Sequence, residues 1–403
     1  MSKSSGMPIQ VWILTLSAFA IGTAEFVIAG VLTHVASSLQ ITEGRAGGLI
    51  TAYALAIVFG GPILTLWLVR FEKRNVLLLL MALFIAGNLL SALSHDYATL
   101  LVSRVIAGLT QGPFYGIGAV VATRLVPENM AGRAVGQMFA GLTLANVLGV
   151  PAGAWIGNVY GWNVTFVVVA ILGAIAMIAI GLFIRRQGRE ESVSIVSQLA
   201  AFRNGDLLAS LAITTLAWVG FMTFYGYIAP VAVHVAGFSS ISLTWILVLV
   251  GAGLVLGNSL GGRTADANLR LSLIAWPTAM IAALLVTGLF ASEKLPFLAS
   301  SFVFGVVAFA NVPPMQMRVM KYGFEAPELA ATANISAFNI ANALGGVIGG
   351  AVVDSHFGPA GIPFAAAIVP VVGLLFIIWQ EKRQLVGFGK KNNDVVPSAR
   401  VSR

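Results

Sequence analysis

The chain is built from long apolar blocks, and no other feature of the sequence restricts its fold as strongly. Each block runs for roughly 20 residues, the length that a helix needs to cross a hydrocarbon layer of ~30 Å. Of the 403 residues, 58% are hydrophobic and only 9% are charged, whereas soluble proteins carry about 25% charged residues. The alternating segments of about ten residues that build a transmembrane barrel are absent. The sequence therefore predicts an all-α polytopic membrane protein.

We predict twelve transmembrane helices, which a polar segment divides six and six. The first block lacks a small-residue cleavage site, so we expect it to be retained as a span. The predicted spans are residues 11–36, 46–69, 75–94, 97–123, 134–157, 163–184, 207–236, 242–262, 270–291, 296–318, 329–353 and 360–380. The predicted domains are an N-terminal half at 1–184, a cytoplasmic linker at 185–206, a C-terminal half at 207–383 and a disordered cytoplasmic tail at 384–403.

The positive charges predict how these spans are oriented. In bacterial membrane proteins, Lys and Arg collect in the cytoplasmic loops. If the N-terminus is cytoplasmic, only Arg45 and Lys294 of the 23 Lys and Arg residues fall on the opposite side, and Arg104 falls within the membrane. We therefore expect a multi-pass protein of the bacterial inner membrane with both termini in the cytoplasm. The net charge of +8 then reflects topology, and no nucleic-acid partner is expected.

Internal repeats relate the two halves of the chain. IAGVLTHVA at 28–36 matches IAPVAVHVA at 228–236 with an offset of 200, and ANVLG at 145–149 recurs as ANALG at 341–345 with an offset of 196. Each half has an even number of spans, so both halves run in the same direction. Parallel repeats of this kind are typical of major facilitator transporters, which place the substrate near the midplane between the halves.

One acidic residue, Glu25, lies deep within a predicted span. It occurs in GTAEFVIAG at 22–30, and the other Asp and Glu residues fall in loops, tails or helix ends. A charge at this depth is costly unless it is paired, hydrated or neutralised by a proton. We therefore predict that Glu25 couples transport to protons, the alternative being a carboxylate held in a helix–helix hydrogen bond. Arg104 is its predicted partner, although its side chain could instead extend to the membrane surface.

Two further motifs resemble those of a known transporter family. LVSRVIAGLTQG at 101–112 is similar to the fourth-span motif of major facilitator proteins. GLTLANVLGVPAGAWIG at 141–157 resembles their fifth-span antiporter motif, but a valine separates Gly149 from Pro151, which are adjacent in the common form. Together with GTAEF, these motifs make residues 10–383 similar to bacterial twelve-span drug:proton antiporters, closest to the arabinose- and sugar-efflux-like branch. The resemblance implies export in exchange for protons and leaves the substrate open.

The resemblance also implies a gate on the cytoplasmic side. The family's loop between spans 2 and 3 carries Gly, Asp and Arg, and here TLWLVRFEKR at 65–74 keeps Arg70 but has Val69 in place of the Asp. The equivalent loop at 261–270 keeps the other predicted latch residues, which are Gly262, Arg263 and Asp266. The cations could instead serve topology alone. Gly149, Pro151 and Gly153 are predicted to help gating, although glycines at this spacing also permit close packing.

Polar and aromatic residues within the spans are candidate substrate contacts. Aromatic faces with a few polar groups suit small amphiphilic ligands. The candidates are Tyr53, Gln111, Tyr115, Phe221, Tyr225, Asn311, Asn334, Asn339 and Asn342. Tyr225 is the repeat counterpart of Glu25. Aromatic residues in spans also face lipid or the core, whereas an amide that faces lipid is costly.

The sequence as a whole favours a monomeric proton-coupled exporter of small neutral or monocationic molecules, drug-like or sugar-like. A single deep acid leaves room for one proton or one positive charge. The expected partners are protons, the substrate and membrane lipid; no cofactor, metal or enzymatic activity is expected. A proton-coupled importer and a non-transporting membrane receptor are the alternatives.

Overall fold

The computed structural model of the chain describes residues 7–68, 70–127, 130–186, 200–325 and 327–393. Within these ranges, twelve helical spans are long and apolar enough to cross a membrane. The first six are α1 (Ile9–Ser38), α2 (Glu43–Leu55, Ala56–Gly60 and Gly61–Leu68), α3 (Lys73–Ala92), α4 (Tyr97–Arg124), α5 (Ala131–Leu144, Ala145–Gly149 and Val150–Tyr160) and α6 (Trp162–Phe183). The second six are α7 (Gly205–Tyr225, Ile228–Pro230 and Val231–Val235), α8 (Ser240–Ala267), α9 (Leu269–Leu289), α10 (Lys294–Ala310 and Val312–Tyr322), α11 (Pro327–Val353) and α12 (Ile362–Asn393).

The predicted fold class is confirmed, whereas α8 and α12 extend beyond their predicted ends. α8 continues to Ala267, so the predicted latch residues at 262–266 lie in its last turns and not in a loop. Only Asn268 separates α8 from α9. Its side chain caps the start of α9 by accepting a hydrogen bond from the Leu271 amide at 2.9 Å. α12 continues to Asn393, so residues 384–393 are helical where we predicted a disordered tail. Residues 394–403, and residues 187–199 of the predicted linker, lie outside the described residues.

Proline positions account for wide turns in two spans. A proline lacks the amide hydrogen that would bond four residues back, and its ring clashes with that carbonyl. The π-helical turn Ala56–Gly60 ends two residues before Pro62, and the turn Ala145–Gly149 ends two residues before Pro151. Wider turns of this kind pair backbone groups that a proline would leave unpaired. α2 and α5 are therefore locally irregular at mid-span.

Glycines allow α5 to pack closely against α1, and α11 to pack closely against α7. At each of four glycines, an added Cβ would collide with a residue of the facing helix. The pairs are Gly149 with Thr23, Gly153 with Val27, Gly345 with Thr223, and Gly349 with Tyr227. The second two pairs repeat the first two at the offsets found in the sequence, so the repeat is also a repeat of packing. Close approach through glycine is the usual way in which membrane helices pack tightly.

The halves meet at one end of the bundle and separate at the other. We call the end that holds both described chain ends the terminus side and the opposite end the far side. On the far side, a single apolar core contains Phe26 of α1, Phe221 of α7 and Leu247 of α8. On the terminus side each half has its own core, around Leu14 in the first half and around Ile213 in the second. The bundle is therefore closed at the far side.

The central helices α1 and α7 show the same asymmetry. Every residue from 20 to 32 in α1 and from 217 to 232 in α7 is buried. Nearer the terminus side each helix has an exposed face, where Trp12 and Leu208 are each 49% exposed. The interior between the halves is therefore approached from the terminus side.

Candidate functional site

Glu25 lies at the middle of α1, on the boundary between the two halves. Its side chain is 6% exposed. Nε2 of Gln111, on α4 of the first half, donates to Oε2 of the carboxylate at 2.7 Å. Nδ2 of Asn342, on α11 of the second half, donates to Oε1 at 3.3 Å. The carboxylate therefore accepts one hydrogen bond from each half.

Two aromatic side chains hold these amides in place. The hydroxyl of Tyr53 on α2 donates to Oε1 of Gln111 at 2.9 Å. The indole Nε1 of Trp218 on α7 donates to Oδ1 of Asn342 at 3.0 Å. An indole N–H can only donate, so it keeps the amide oxygen of Asn342 on its own side and directs the amide nitrogen to Glu25. Five helices thus contribute to one continuous hydrogen-bonded network, which suits an ionised carboxylate.

Arg104 lies beside Glu25 without forming the predicted ion pair. Its Nη2 donates to the main-chain carbonyl of Ala24 at 2.7 Å, and its guanidinium lies over the ring of Tyr53 at 4.2 Å. The ion pairs of the described residues do not include Arg104 with Glu25. Arg104 is fully buried, so the alternative that it extends to the membrane surface is wrong. The Ala24 carbonyl and the Tyr53 ring therefore hold the guanidinium beside the residue that precedes Glu25, and not on the carboxylate itself.

The predicted aromatic contacts form a cluster next to this network. Phe221 stacks on Trp218 at 4.4 Å and on Tyr225 at 5.0 Å between ring centroids. Phe26, the residue after Glu25, meets Phe221 and Tyr225 edge-on at 6.5 and 6.2 Å. Tyr115 is directed elsewhere, because its hydroxyl donates to the carbonyl of Ala18, nearer the terminus side. The sequence did not single out Phe26, which gives no polar signal.

The remaining predicted asparagines stand apart from Glu25. Asn334 accepts from Thr214 at 2.7 Å and donates to Gln316 at 2.6 Å, which makes a separate polar contact in the second half. Asn311 and Asn339 each donate to a carbonyl one turn earlier in their own helix. Of the nine predicted substrate residues, the structure therefore brings Tyr53, Gln111 and Asn342 into the Glu25 network.

A polar contact that the sequence did not reveal closes the far side. Asp354, just after α11, accepts from the hydroxyl of Thr42 at 2.6 Å and from the amide of Gly44 at 3.0 Å. Next to it, Glu43 pairs with His234 of α7 at 3.1 Å. Asp354 thus caps the first turn of α2 from the other half of the molecule. Its partner Thr42 is 312 residues away in the sequence, so no local pattern could have indicated the contact.

The predicted latch residues on the terminus side do not meet in this conformation. Arg70 is exposed, and its guanidinium lies over the rings of Trp67 and Phe71 at 5.2 and 5.3 Å. Arg263 and Asp266 are also exposed and take part in none of the ion pairs of the described residues. Val69 lies outside the described residues. Because the halves are apart on this side, the gating role stays a prediction.

A partly buried ion cluster, which the sequence analysis did not predict, lies nearby in the second half. Arg318 of α10 is only 2% exposed. Its Nη1 contacts Oε1 of Glu381 on α12, and Arg270 of α9 lies 3.7 Å from Oε2 of the same carboxylate. The cluster ties α9, α10 and α12 together within one half.

Comparisons with known proteins identify relatives along nearly the whole chain. The model of the Major Facilitator Superfamily matches residues 14–350. The "inner membrane transport protein YdhP" of Escherichia coli (strain K12) is 38% identical over 371 residues, which is 92% of this chain and 95% of that protein. A "probable sugar efflux transporter" of Mannheimia succiniciproducens is 30% identical, over 92% of this chain and 93% of its own length. A "chloramphenicol resistance protein" of Streptomyces lividans is 28% identical, over 92% and 95%.

Solved structures share the fold at lower sequence identity. A bacterial homolog of the human lysosomal transporter Spinster, in an inward-facing conformation, has a TM-score of 0.72 and 16% identity over 94% of this chain and 96% of that one. A D-xylose-proton symporter has a TM-score of 0.73 and 17% identity, over 92% and 97%. The family match, the relatives and the twelve-helix fold agree. The chain therefore belongs to the Major Facilitator Superfamily and is a multi-pass inner-membrane transporter rather than an enzyme.

Proposed function

We propose that the protein exports small neutral or monocationic molecules in exchange for protons and that Glu25 is the proton site. The observation that carries this proposal is the position of the carboxylate, buried at mid-span with one amide donor from each half. In a transporter of this architecture, the halves rock against each other around a central site. A proton that binds at Glu25 therefore acts on hydrogen bonds that join the two halves, and these bonds must change when the halves move.

Protonation would alter the hydrogen bonds of this network. Ionised Glu25 accepts from both amides, whereas protonated Glu25 must donate from one oxygen. At Oε1 the facing group is Nδ2 of Asn342, which is itself a donor. The Asn342 amide would have to rotate or withdraw, and rotation would turn a nitrogen toward the indole N–H of Trp218. Protonation thus weakens the contact that joins α1 to α11 and α7.

Arg104 supports the ionised form of the same site. A cation close to a carboxylate favours its charged state. Nη2 of Arg104 binds the Ala24 carbonyl, while Nε and Nη1 have no hydrogen-bond partner. These two groups are available to the carboxylate once α1 and α4 shift. Arg104 would then hold Glu25 when both proton and substrate are absent.

The predicted topology and the relatives support the proposed direction of transport. Because the Lys and Arg residues concentrate on the terminus side, we assign that side to the cytoplasm. The described conformation is then open to the cytoplasm and closed to the outside. Relatives described as a sugar efflux transporter and a chloramphenicol resistance protein support outward transport of small neutral molecules.

The test is transport in proteoliposomes under an imposed pH gradient. A radiolabelled panel would contain chloramphenicol and D-glucose as neutral compounds, with monocationic, dicationic and anionic compounds beside them. We expect wild-type protein to move neutral or monocationic compounds against the proton flux. Glu25→Gln, which keeps the volume but cannot release a proton, should still exchange labelled for unlabelled compound without a gradient, but should lose accumulation driven by the gradient.

Glu293→Gln is the matched control, since Glu293 is an exposed acid at the far side and its replacement should leave coupling intact. Accumulation by Glu25→Gln equal to that of wild type would refute the proton assignment. Movement in the same direction as protons would show an importer, and exchange of anions alone would exclude the proposed substrate class.

A further inference from the structure

A cavity on the terminus side, where α2 ends and α3 begins, lies apart from the Glu25 network. We call it the α2–α3 cavity. Its volume of about 590 Å³ falls within the range of about 300–1,000 Å³ that is usual for ligand pockets. The lining residues are Trp67, Leu68, Arg70, Phe71, Glu72, Asn75, Val76 and Leu79. The polar residues come from the loop and the first turn of α3, whereas Leu79 lies one turn deeper in the membrane.

The α3 wall of this cavity faces the surrounding lipid. α3 packs against α4 and α6 of its own half. Its opposite face is exposed, and Asn75, Leu79 and Leu83 follow one another there at four-residue spacing. An exposed apolar stripe on a spanning helix contacts acyl chains. A molecule in the α2–α3 cavity can therefore place a polar end at the loop and an apolar end beside Leu79.

Arg70 brings a positive charge to the polar end of the cavity. It takes part in none of the ion pairs of the described residues. The rings of Trp67 and Phe71 hold its guanidinium from below, and these rings are 51% and 45% exposed. Exposed aromatic residues at the end of a span are typical of the depth of the lipid headgroups. Stacking on ring faces leaves the N–H groups at the edge of the guanidinium available to a ligand.

Glu72 is the one acid among the lining residues, and its carboxylate is engaged by α3. Oε1 accepts from the Arg74 amide and Oε2 from the Asn75 amide, each at 3.0 Å. The positive end of the helix dipole stabilises a carboxylate in this position. Glu72 therefore compensates the start of α3 and does not neutralise Arg70.

Further cations lie where α3 meets α6. Nη2 of Arg74 donates to the carbonyl of Gly181, in the last turn of α6. Arg185 and Arg186 follow directly after that helix and are exposed. The surroundings of the α2–α3 cavity are therefore positively charged.

We propose that the α2–α3 cavity binds an anionic phospholipid of the inner membrane, with its phosphate at Arg70 and Asn75 and an acyl chain along Leu79. Guanidinium and amide N–H groups are good donors to phosphate oxygens. The terminus side is the side that we assign to the cytoplasm, where anionic lipids attract basic segments. With Glu72 engaged by α3, the cavity offers no free acid to the amine of a zwitterionic headgroup. This proposal goes beyond the transport function and holds for either direction of transport.

The experiment measures lipid binding to the intact, delipidated protein by native mass spectrometry. The probes are phosphatidylglycerol and phosphatidylcholine with the same acyl chains. We expect wild-type protein to bind phosphatidylglycerol about fivefold or more tightly, since the attraction of one arginine to an anionic headgroup is worth about this factor. Arg70→Gln, which removes the charge and keeps an amide donor, should weaken phosphatidylglycerol by about fivefold and leave phosphatidylcholine unchanged. Leu79→Trp, which keeps the charge and fills the cavity, should weaken both lipids.

Arg383→Gln is the matched control. Arg383 of α12 is also an exposed cation on the terminus side, and its guanidinium lies over the ring of Trp379 at 5.9 Å. It does not line the α2–α3 cavity, so its replacement should keep the preference for phosphatidylglycerol. A large excess of inorganic phosphate should leave the lipid bound, because phosphate gains nothing from the apolar wall. Arg70 and Leu79 are exposed, and an unchanged unfolding temperature in detergent would confirm that their variants are folded.

Four results would overturn the proposal. Wild-type protein could bind the two lipids equally, or the preference could survive in Arg70→Gln. An equal loss of preference in Arg383→Gln would show a general attraction to surface charge, and displacement by inorganic phosphate would assign the cavity to a free anion. Binding of both lipids that is unchanged in Leu79→Trp would separately exclude the acyl-chain position. Each result leaves the assignment of Glu25 as the proton site untouched.

Discussion

Replacing Asp354 with alanine is predicted to open the far side of the transporter. Asp354 accepts hydrogen bonds from the Thr42 hydroxyl and the Gly44 amide, and so caps α2 across the boundary between the halves. Thr42 also accepts from the Arg45 amide at 3.1 Å, which links the cross-half bond to the local cap of the helix. In Asp354→Ala both cross-half bonds disappear, while the neighbouring pair of Glu43 with His234 remains.

The size of the effect follows from these two bonds. Removing a helix cap costs about 0.5–2 kcal/mol, and a value of about 1 kcal/mol, below the upper end, applies here because the carboxylate is exposed and screened by solvent. A loss of about 1 kcal/mol changes an equilibrium constant about fivefold. If the bonds form only when the far side is closed, the ratio of closed to open protein should fall by about this factor.

The chain contains no cysteine, which makes a spin-label measurement direct. Ser38→Cys and Ser292→Cys place labels at exposed far-side positions, one on each half. Pulsed dipolar spectroscopy on the labelled protein would give the populations at short and long distance. We expect Asp354→Ala to shift population from the short to the long distance by about fivefold in their ratio.

Asp96→Ala is the control for a lost far-side carboxylate. Asp96 caps α4 within the first half, where it accepts from the Thr99 amide at 2.9 Å. The hydrogen bonds from Thr99 hold the pKa of the Asp96 carboxyl below its usual range, so this group stays ionised at neutral pH. Its loss should leave the distance distribution unchanged. If Asp354→Ala gave the wild-type distribution, or if both variants shifted it equally, the cross-half cap would not be what closes this side.

Two further predictions concern packing and coupling. Gly153→Ala should lower the unfolding temperature in detergent, because its Cβ would collide with Val27. Gly136→Ala on the same helix has open space and should be neutral or stabilising. Equal shifts of the unfolding temperature in the two variants would rule out the collision with Val27 as the cause. Asn342→Leu should uncouple transport from the pH gradient without unfolding the protein, since it removes the second half's hydrogen bond to Glu25. Gradient-driven accumulation that survives this change would show that the cross-half bond is dispensable.

The sequence by itself determined the architecture. Twelve apolar blocks, their charge asymmetry and the offsets of 200 and 196 are readable residue by residue, because the membrane imposes length and polarity on each span independently of its neighbours. Glu25 stood out as a candidate for the same reason, since an acid at mid-span is costly wherever the helix lies.

The tertiary structure alone decided which groups meet. Arg104 was predicted to pair with Glu25, yet it binds the neighbouring carbonyl of Ala24, a difference of one residue that depends on how α4 is rotated against α1. Gln111 and Asn342 were two among nine candidates until the register of α4 and α11 directed their amides at the carboxylate. Asp354 gave no signal, because its partner comes from the other half of the chain. Hydropathy restricts how deep in the membrane a residue lies. The rotation and sliding of packed helices set the direction of each side chain and the identity of its partner. Contacts along the whole chain contribute to that rotation and sliding, so no local pattern reveals them.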